Sequence, residues 1–275
     1  MKTRIITAIV AIIVFLPVCI FSDTWFYPTA MAILCTVGVY EMLSCVGMFK
    51  TPAISVPSML LAAIMPMIPL FGGESTLTLE LGCVIAYLVL TFTADVFSRG
   101  KLDYTITSCA FRGVFYVALS FTCMTLLRKE GEYLYLLTFI GPWVSDSFAY
   151  FTGRFFGKHK LIPEVSPKKT VEGAIGGVVF AALSFVLYGI IIRNFFNPDI
   201  ELNYIAMAVA GAIVSVISQI GDLSASVIKR RFEVKDYGWV FPGHGGVLDR
   251  FDSVILTAPV LYILTQIPAF GAISI

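Results

Sequence analysis

Charged residues are scarce in this chain. Asp, Glu, Lys and Arg together make up 13% of 275 residues, against 58% hydrophobic, and a soluble domain of that size needs more polar surface. Histidine is scarcer still, with only His159 and His244, and nothing around them resembles a zinc motif. The six cysteines all lie in apolar stretches and form no C-x-x-C pair, which argues against a disulfide framework. The G-x-x-x-x-G-K-[ST] spacing of a P-loop is absent. A net charge of +1 lacks the large basic excess of a dedicated nucleic-acid binder, so no nucleic-acid partner is expected.

What the chain has instead is oil. Apolar runs near the 20 residues needed to cross a bilayer recur near 5–22, 26–48, 54–72, 78–97, 105–127, 132–152, 172–194, 203–228 and 250–270. They are continuously apolar rather than alternating, and lipid demands that each segment satisfy its own backbone, so helices are expected and a barrel is not. The first run begins MKTR like a secretory signal, but no A-x-A-like cleavage site follows it, and it is read as a retained helix. The expected fold is all-α: a polytopic integral membrane helical bundle of about nine transmembrane helices with the N-terminus cytoplasmic. Residues 1–275 form one membrane domain, with 1–130 supplying packing helices and a candidate dimerisation surface, and 131–275 the catalytic helices and loops.

Orientation follows from Lys and Arg, which stay cytoplasmic in short loops. With the N-terminus inside, only Arg128, Lys129 and Arg193 fall in outside loops and Arg112 within a helix. Every other cation, from Lys2 and Arg4 to Arg250, is cytoplasmic, and so are both long polar loops.

The first of these follows a helix carrying Asp146 inside an apolar run. An acid at bilayer depth costs at least about 2.5 kcal/mol on insertion scales and is a functional candidate by default. Asp146 and Tyr150 share a helix face at i, i+4. Beyond them, Ser166, Lys168, Lys169 and Thr170 offer hydroxyls and ammonium groups just before another helix begins, where unpaired N–H groups and the helix dipole favour a triphosphate. Lys168 and Lys169 also suit lipid headgroups. His159, between two lysines, reads as a solvated loop residue.

The second loop, from Gly221 to Asp252, packs four aspartates, a cluster of Lys and Arg, a histidine and an HGG turn into otherwise oily sequence. If its helix continues to Lys229, then Asp222, Ser226 and Lys229 lie on one face. Asp249 and Asp252 are i, i+3 neighbours on the returning helix, although Asp249 alone is also a good cap. Oxygen-only ligands select magnesium over zinc. Asp222 and Asp249 are the principal expected ligands of one or two divalent cations, with Asp252 and Asp146 as weaker candidates. Lys229, Arg230, Lys235 and Arg250 are expected to hold phosphates, with Ser226, His244 and the Gly245–Gly246 backbone adding hydrogen bonds. Lys229 and Arg250 stand with Asp222 and Asp249 as the catalytic group, and Trp239 or Tyr237 is available to stack on a base.

The run SVIKRRFEVKDYGWVFPGHGGVLDRFD, Ser226 to Asp252, resembles the signature of phosphatidate cytidylyltransferases, also called CDP-diacylglycerol synthases. The block DSFAYFTGRFFGKHKLIPEVSPKKTVEG is similar to that family's other cytoplasmic segment. The resemblance implies that the phosphate of phosphatidic acid attacks the α-phosphorus of CTP, giving CDP-diacylglycerol and pyrophosphate with magnesium required. It also implies a homodimer. A bacterial plasma membrane is the expected location, with the site facing the cytoplasm. The nearest rival is another CTP-using membrane lipid enzyme, a polyprenol-type kinase or an ether-lipid cytidylyltransferase. A secondary transporter fits less well, because the halves show no internal repeat and charge gathers on one membrane side.

Overall fold

A computed structural model describes residues 10, 13–268 and 270. Lys2, Arg4 and the opening residues of the first expected span lie outside the described residues, as does position 269 at the end of the last; residues 13–20 are helical. The helices that follow are α1 (Phe26–Cys45), α2 (Pro52–Ile64), α3 (Ile68–Phe71), α4 (Thr76–Phe97), α5 (Tyr104–Glu130), α6 (Leu137–Phe156), α7 (Val171–Phe195), α8 (Tyr204–Arg231), α9 (Leu248–Ile255) and α10 (Thr257–Gln266). Among the described residues six stretches are long and apolar enough to span a membrane: Phe26–Cys45, Pro52–Phe71, Gly73–Phe97, Tyr104–Glu130, Val171–Phe195 and Tyr204–Arg231. This is a helical, multi-pass membrane protein.

The remaining expected spans differ in ways their residues explain. The run near 132–152 is a 20-residue helix, α6, with Pro142 inside it and Asp146, Ser145 and Ser147 on it, which dilute its apolar character. The run near 250–270 is broken between α9 and α10 around Leu256, three residues before Pro259, which has no N–H to return to the Ile255 carbonyl and so cannot continue the ladder of α9. One departure from an all-helical reading is a hairpin of β1 (Lys160–Ile162) and β2 (Ser166–Thr170), paired antiparallel with Lys160 opposite Thr170 and Ile162 opposite Ser166.

Two compact units make up the chain. The first comprises residues 1–125 and 231–251. In it α1 packs on α2 and α2 on α4, and Met31, Cys35, Met42 and Leu43 of α1 are fully buried, as are Val114, Val117 and Phe121 of α5. Ser58 and Tyr87 tie α2 to α4 through their hydroxyls at 3.1 Å, a polar bond between apolar helices of the kind membranes favour.

The second unit comprises residues 126–230 and 252–275. Its centre is the antiparallel pair α6 and α7, with the hairpin between them in sequence and α10 against α6. Ser145 on α6 and Ser215 on α8 share a buried hydrogen bond of 2.7 Å. Gln219 on α8 donates to the Ala174 carbonyl of α7 at 3.2 Å. These bonds fix the three helices on which the polar residues of this unit are mounted.

Candidate functional site

The hairpin is held by the helix it precedes. Thr170 is the N-cap of α7 and its hydroxyl accepts from the Gly173 N–H at 3.1 Å, satisfying one of the orphan donors of a helix start. Glu172, in the first turn, accepts the N–H groups of Lys158 (3.1 Å) and His159 (3.2 Å) with one oxygen and meets His159 Nδ1 at 2.6 Å with the other. His159 is thus a tethered residue although its side chain is 77% exposed. The charged stretch Ser166–Thr170 is therefore a strand rather than a loop, and β alternation sends successive side chains to opposite faces.

Beside this strand lies a cavity of about 380 Å³ lined by Asp146, Tyr150, Arg154, Ser166, Lys168, Lys169, Thr170 and Asp222. The Lys169 ammonium pairs with the Asp222 carboxylate, and Arg154 donates to the Tyr150 hydroxyl at 3.0 Å. Asp222 stands close enough to Asp146 and Asp252 for the three carboxylates to repel one another, while the Ser253 side chain hydrogen-bonds Asp146. Lys229 Nζ lies 4.0 Å from Asp252. Helix α8 does run past Lys229, so Asp222, Ser226 and Lys229 share a face. The approach of α8 to Asp252 needs Gly221, because a Cβ there would sit 2.7 Å from the Asp252 carbonyl oxygen.

The first unit holds a second cavity of about 500 Å³, lined by Lys235, Asp236, Gly238, Trp239, Phe241, Pro242, Gly243, His244, Gly245 and Arg250. Its floor is the HGG turn. Phe241 and Gly245 face each other, with the Phe241 N–H donating to Gly245 O at 2.8 Å and the His244 N–H to Phe241 O at 2.8 Å. Gly243 and Gly245 take φ of 79° and 87°, the left-handed region that a side chain disfavours. His244 Nδ1 is buried without a protein hydrogen-bond partner among the described residues, a cost that a bond from a ligand relieves. Trp239 is 85% exposed whereas Tyr237 is 6% exposed; of the two rings, Trp239 is the one open to a base. Arg230 is exposed at the end of α8.

Asp249 is buried, and its Oδ2 accepts the N–H groups of Tyr237 at 2.8 Å and Gly246 at 2.9 Å. It lies inside the first turn of α9 and reaches back to fasten the loop, instead of capping the helix from outside. Asp222 belongs to one unit and Asp249 to the other.

Sequence reasoning missed Glu41. This acid of α1 is 1% exposed, and its two oxygens accept the N–H groups of Val247 and Leu248, each at 2.9 Å. The signal was present: an acid in an apolar run is a site candidate by the rule applied to Asp146.

The donor set suits a hard cation. Asp146, Asp222 and Asp252 supply only oxygens, from three helices, with Lys169 on Asp222 and Lys229 beside Asp252. Among the described residues no three Asp, Glu, His or Cys side chains are grouped so as to hold a metal ion by themselves; magnesium characteristically takes one or two carboxylates and completes its shell with water and substrate phosphates.

Comparison with known proteins places these features in context. The sequence profile of the Cytidylyltransferase family matches residues 2–268. A phosphatidate cytidylyltransferase of Staphylococcus haemolyticus is 36% identical over 266 residues, covering 96% of this chain and 98% of that protein. Proteins of the same name from Staphylococcus epidermidis and Staphylococcus aureus are 35% and 36% identical over the same shares.

Proposed function

The chain belongs to the cytidylyltransferase family, and from that premise we propose that it transfers the cytidylyl group of CTP to phosphatidic acid, forming CDP-diacylglycerol and pyrophosphate. The observation that carries the reading is kinship along nearly the whole chain with proteins named for this activity, joined to two cavities lined with the cations and hydroxyls that phosphates require.

The chemistry asks little of a general base. A phosphomonoester is already anionic near neutral pH, so the nucleophilic oxygen of phosphatidic acid needs no His or Cys partner, and a bond forms to the α-phosphorus of CTP as the bond to pyrophosphate breaks. The difficulty is bringing polyanions together in line, which fixed cations address by neutralisation and positioning. Lys168, Lys169, Ser166 and Thr170 hold phosphate oxygens at the hairpin, with Ser226, Lys229 and Arg230 along α8. Lys235, Arg250, His244 and the Gly245 N–H do so at the HGG turn, the Gly246 N–H being taken by Asp249, and Trp239 stacks on the base.

Lys169 exchanges its carboxylate partner for a phosphate when substrate arrives, which leaves Asp222 to a cation. Asp222, with Asp252 and Asp146 in support, and in the other unit Asp249 are the acids we assign to magnesium ions; Asp249 is held in one orientation by its two backbone donors, as ligand carboxylates commonly are. Bound there, magnesium supplies charge neutralisation on the transferring phosphoryl oxygens.

The proposal extends to topology: nine spans with a cytoplasmic N-terminus, a site on the cytoplasmic face of a bacterial plasma membrane, and a homodimer through the N-terminal helices. The excess of Lys and Arg in the segments assigned inside supports the orientation. The deciding assay is purified protein in detergent with α-labelled CTP and phosphatidic acid. Label entering lipid with pyrophosphate release is expected, whereas CDP release marks a kinase and removes the reading. Labelled solute uptake into vesicles without incorporation marks a transporter.

A further inference from the structure

Glu41 stands apart from every group assigned above. It lies near the C-terminal end of α1, buried in the first unit, and 206 residues separate it from Val247. Both carboxylate oxygens are used, one on each of two successive N–H groups where the HGG turn enters α9. Those N–H groups belong to the unsatisfied donors of a helix start, so the carboxylate acts as a cap supplied from a distant helix. The fit is close on the loop side too. A Cβ on Gly246 would lie 2.2 Å from Glu41 Oε1 and one on Gly238 would lie 2.3 Å from it, so the loop backbone wraps the carboxylate on two sides. Asp249 binds the adjoining Gly246 N–H and the Tyr237 N–H. Two acids thus grip the same turn, one from within and one from α1.

We propose that Glu41 is a positioning residue for cytidylyl transfer. It fixes the backbone of Gly246–Leu248 so that Arg250 and His244 face the cavity they line, and it does this without touching substrate. The inference rests on the proposed reaction. Displacement by about 1 Å of groups that position a substrate costs on the order of 10²-fold in rate, and a carboxylate facing two N–H donors cannot be replaced by an amide without turning one bond into a donor–donor contact.

The test is Glu41→Gln in full-length protein in detergent, read by pyrophosphate release, by thermal unfolding and by trypsin cleavage after Lys235. Turnover on CTP per folded molecule falls by roughly 10–100-fold, KM for phosphatidic acid stays within about twofold, the melting point drops by only a few degrees as one buried N–H loses its acceptor, and cleavage after Lys235 quickens. Wild-type turnover in the variant overturns the proposal, and so does loss of activity that only tracks loss of folded protein. If Glu41→Gln does not survive purification, Gly246→Ala presses a methyl group against the same carboxylate and must give the same split. Amide exchange in the unaltered protein is the third measurement: fast exchange at Val247 and Leu248 removes the contact and the idea with it. A wild-type protein that releases no pyrophosphate refutes the reaction itself, an outcome distinct from any behaviour of the variants.

Discussion

Lys169, on the second strand of the hairpin, is ion-paired with Asp222, on α8. A cation expected to bind phosphate and an acid expected to bind metal neutralise each other, about three-quarters buried in both cases. The pair keeps both charges satisfied until substrates compete for them. It also makes the two residues separable by mutation, because each has a different partner to lose.

Asp222→Asn removes the charge assigned to the cation while conserving volume. Pyrophosphate release is expected to fall by about 10²-fold or more, the scale of several kcal/mol of lost charge stabilisation. The melting point in detergent is also expected to fall, because removing one partner of a largely buried ion pair leaves the Lys169 ammonium uncompensated, so turnover is compared per folded molecule. Near-wild-type turnover would remove Asp222 from the site.

Metal dependence separates oxygen ligation from the alternatives. EDTA is expected to abolish turnover and magnesium to restore it, with zinc failing, since a site of carboxylates and phosphates without thiolate or imidazole suits hard cations. Full activity in EDTA would refute the cation assignment and leave Lys169 and Lys229 as the neutralising groups.

Arg250 is exposed and lines the cavity above the HGG turn. Arg250→Ala is expected to raise KM for CTP by about 10–100-fold, the worth of a charge-assisted hydrogen bond of about 1.5–3 kcal/mol, with membrane insertion unchanged. An unaltered KM alongside unaltered kcat would show that Arg250 holds no phosphate.

Thr170 has a structural task as well as a proposed ligand. Thr170→Ala removes the cap of α7 and is expected to cost about 1 kcal/mol, read as a fall of roughly 2–4 °C in the melting point. A melting point unchanged in differential scanning measurements would mean that the hairpin, rather than the hydroxyl, secures the helix start.

Much of the polar face was readable because helices impose a simple period. Asp222, Ser226 and Lys229 needed only the continuation of α8 to Arg231, and Asp249 and Asp252 only a helix at Leu248. The hairpin was hidden because SPKKT is short, contains proline and has no alternating apolar face, so neither periodicity nor propensity marks it. The role of Asp249 in its own loop was half visible: it was expected as a metal ligand with capping as the alternative, and its bond to the Tyr237 N–H depends on a loop conformation that no local pattern encodes. Glu41 was harder still. Its partners are backbone N–H groups, which carry no residue identity, so nothing in the sequence near Val247 advertises that a carboxylate must arrive.

The order of synthesis gives that last contact a consequence for biogenesis. Glu41 leaves the ribosome 206 residues ahead of Val247, and at roughly 5–20 residues per second the acid waits on the order of 10–40 s for its donors. During that interval a nascent α1 carries a carboxylate in an apolar segment with its final donors not yet made, a state that favours protonation or a passing partner at the insertion machinery. Chains halted before Val247 should remain in that state, open to carbodiimide labelling at Glu41, and the completed protein should not.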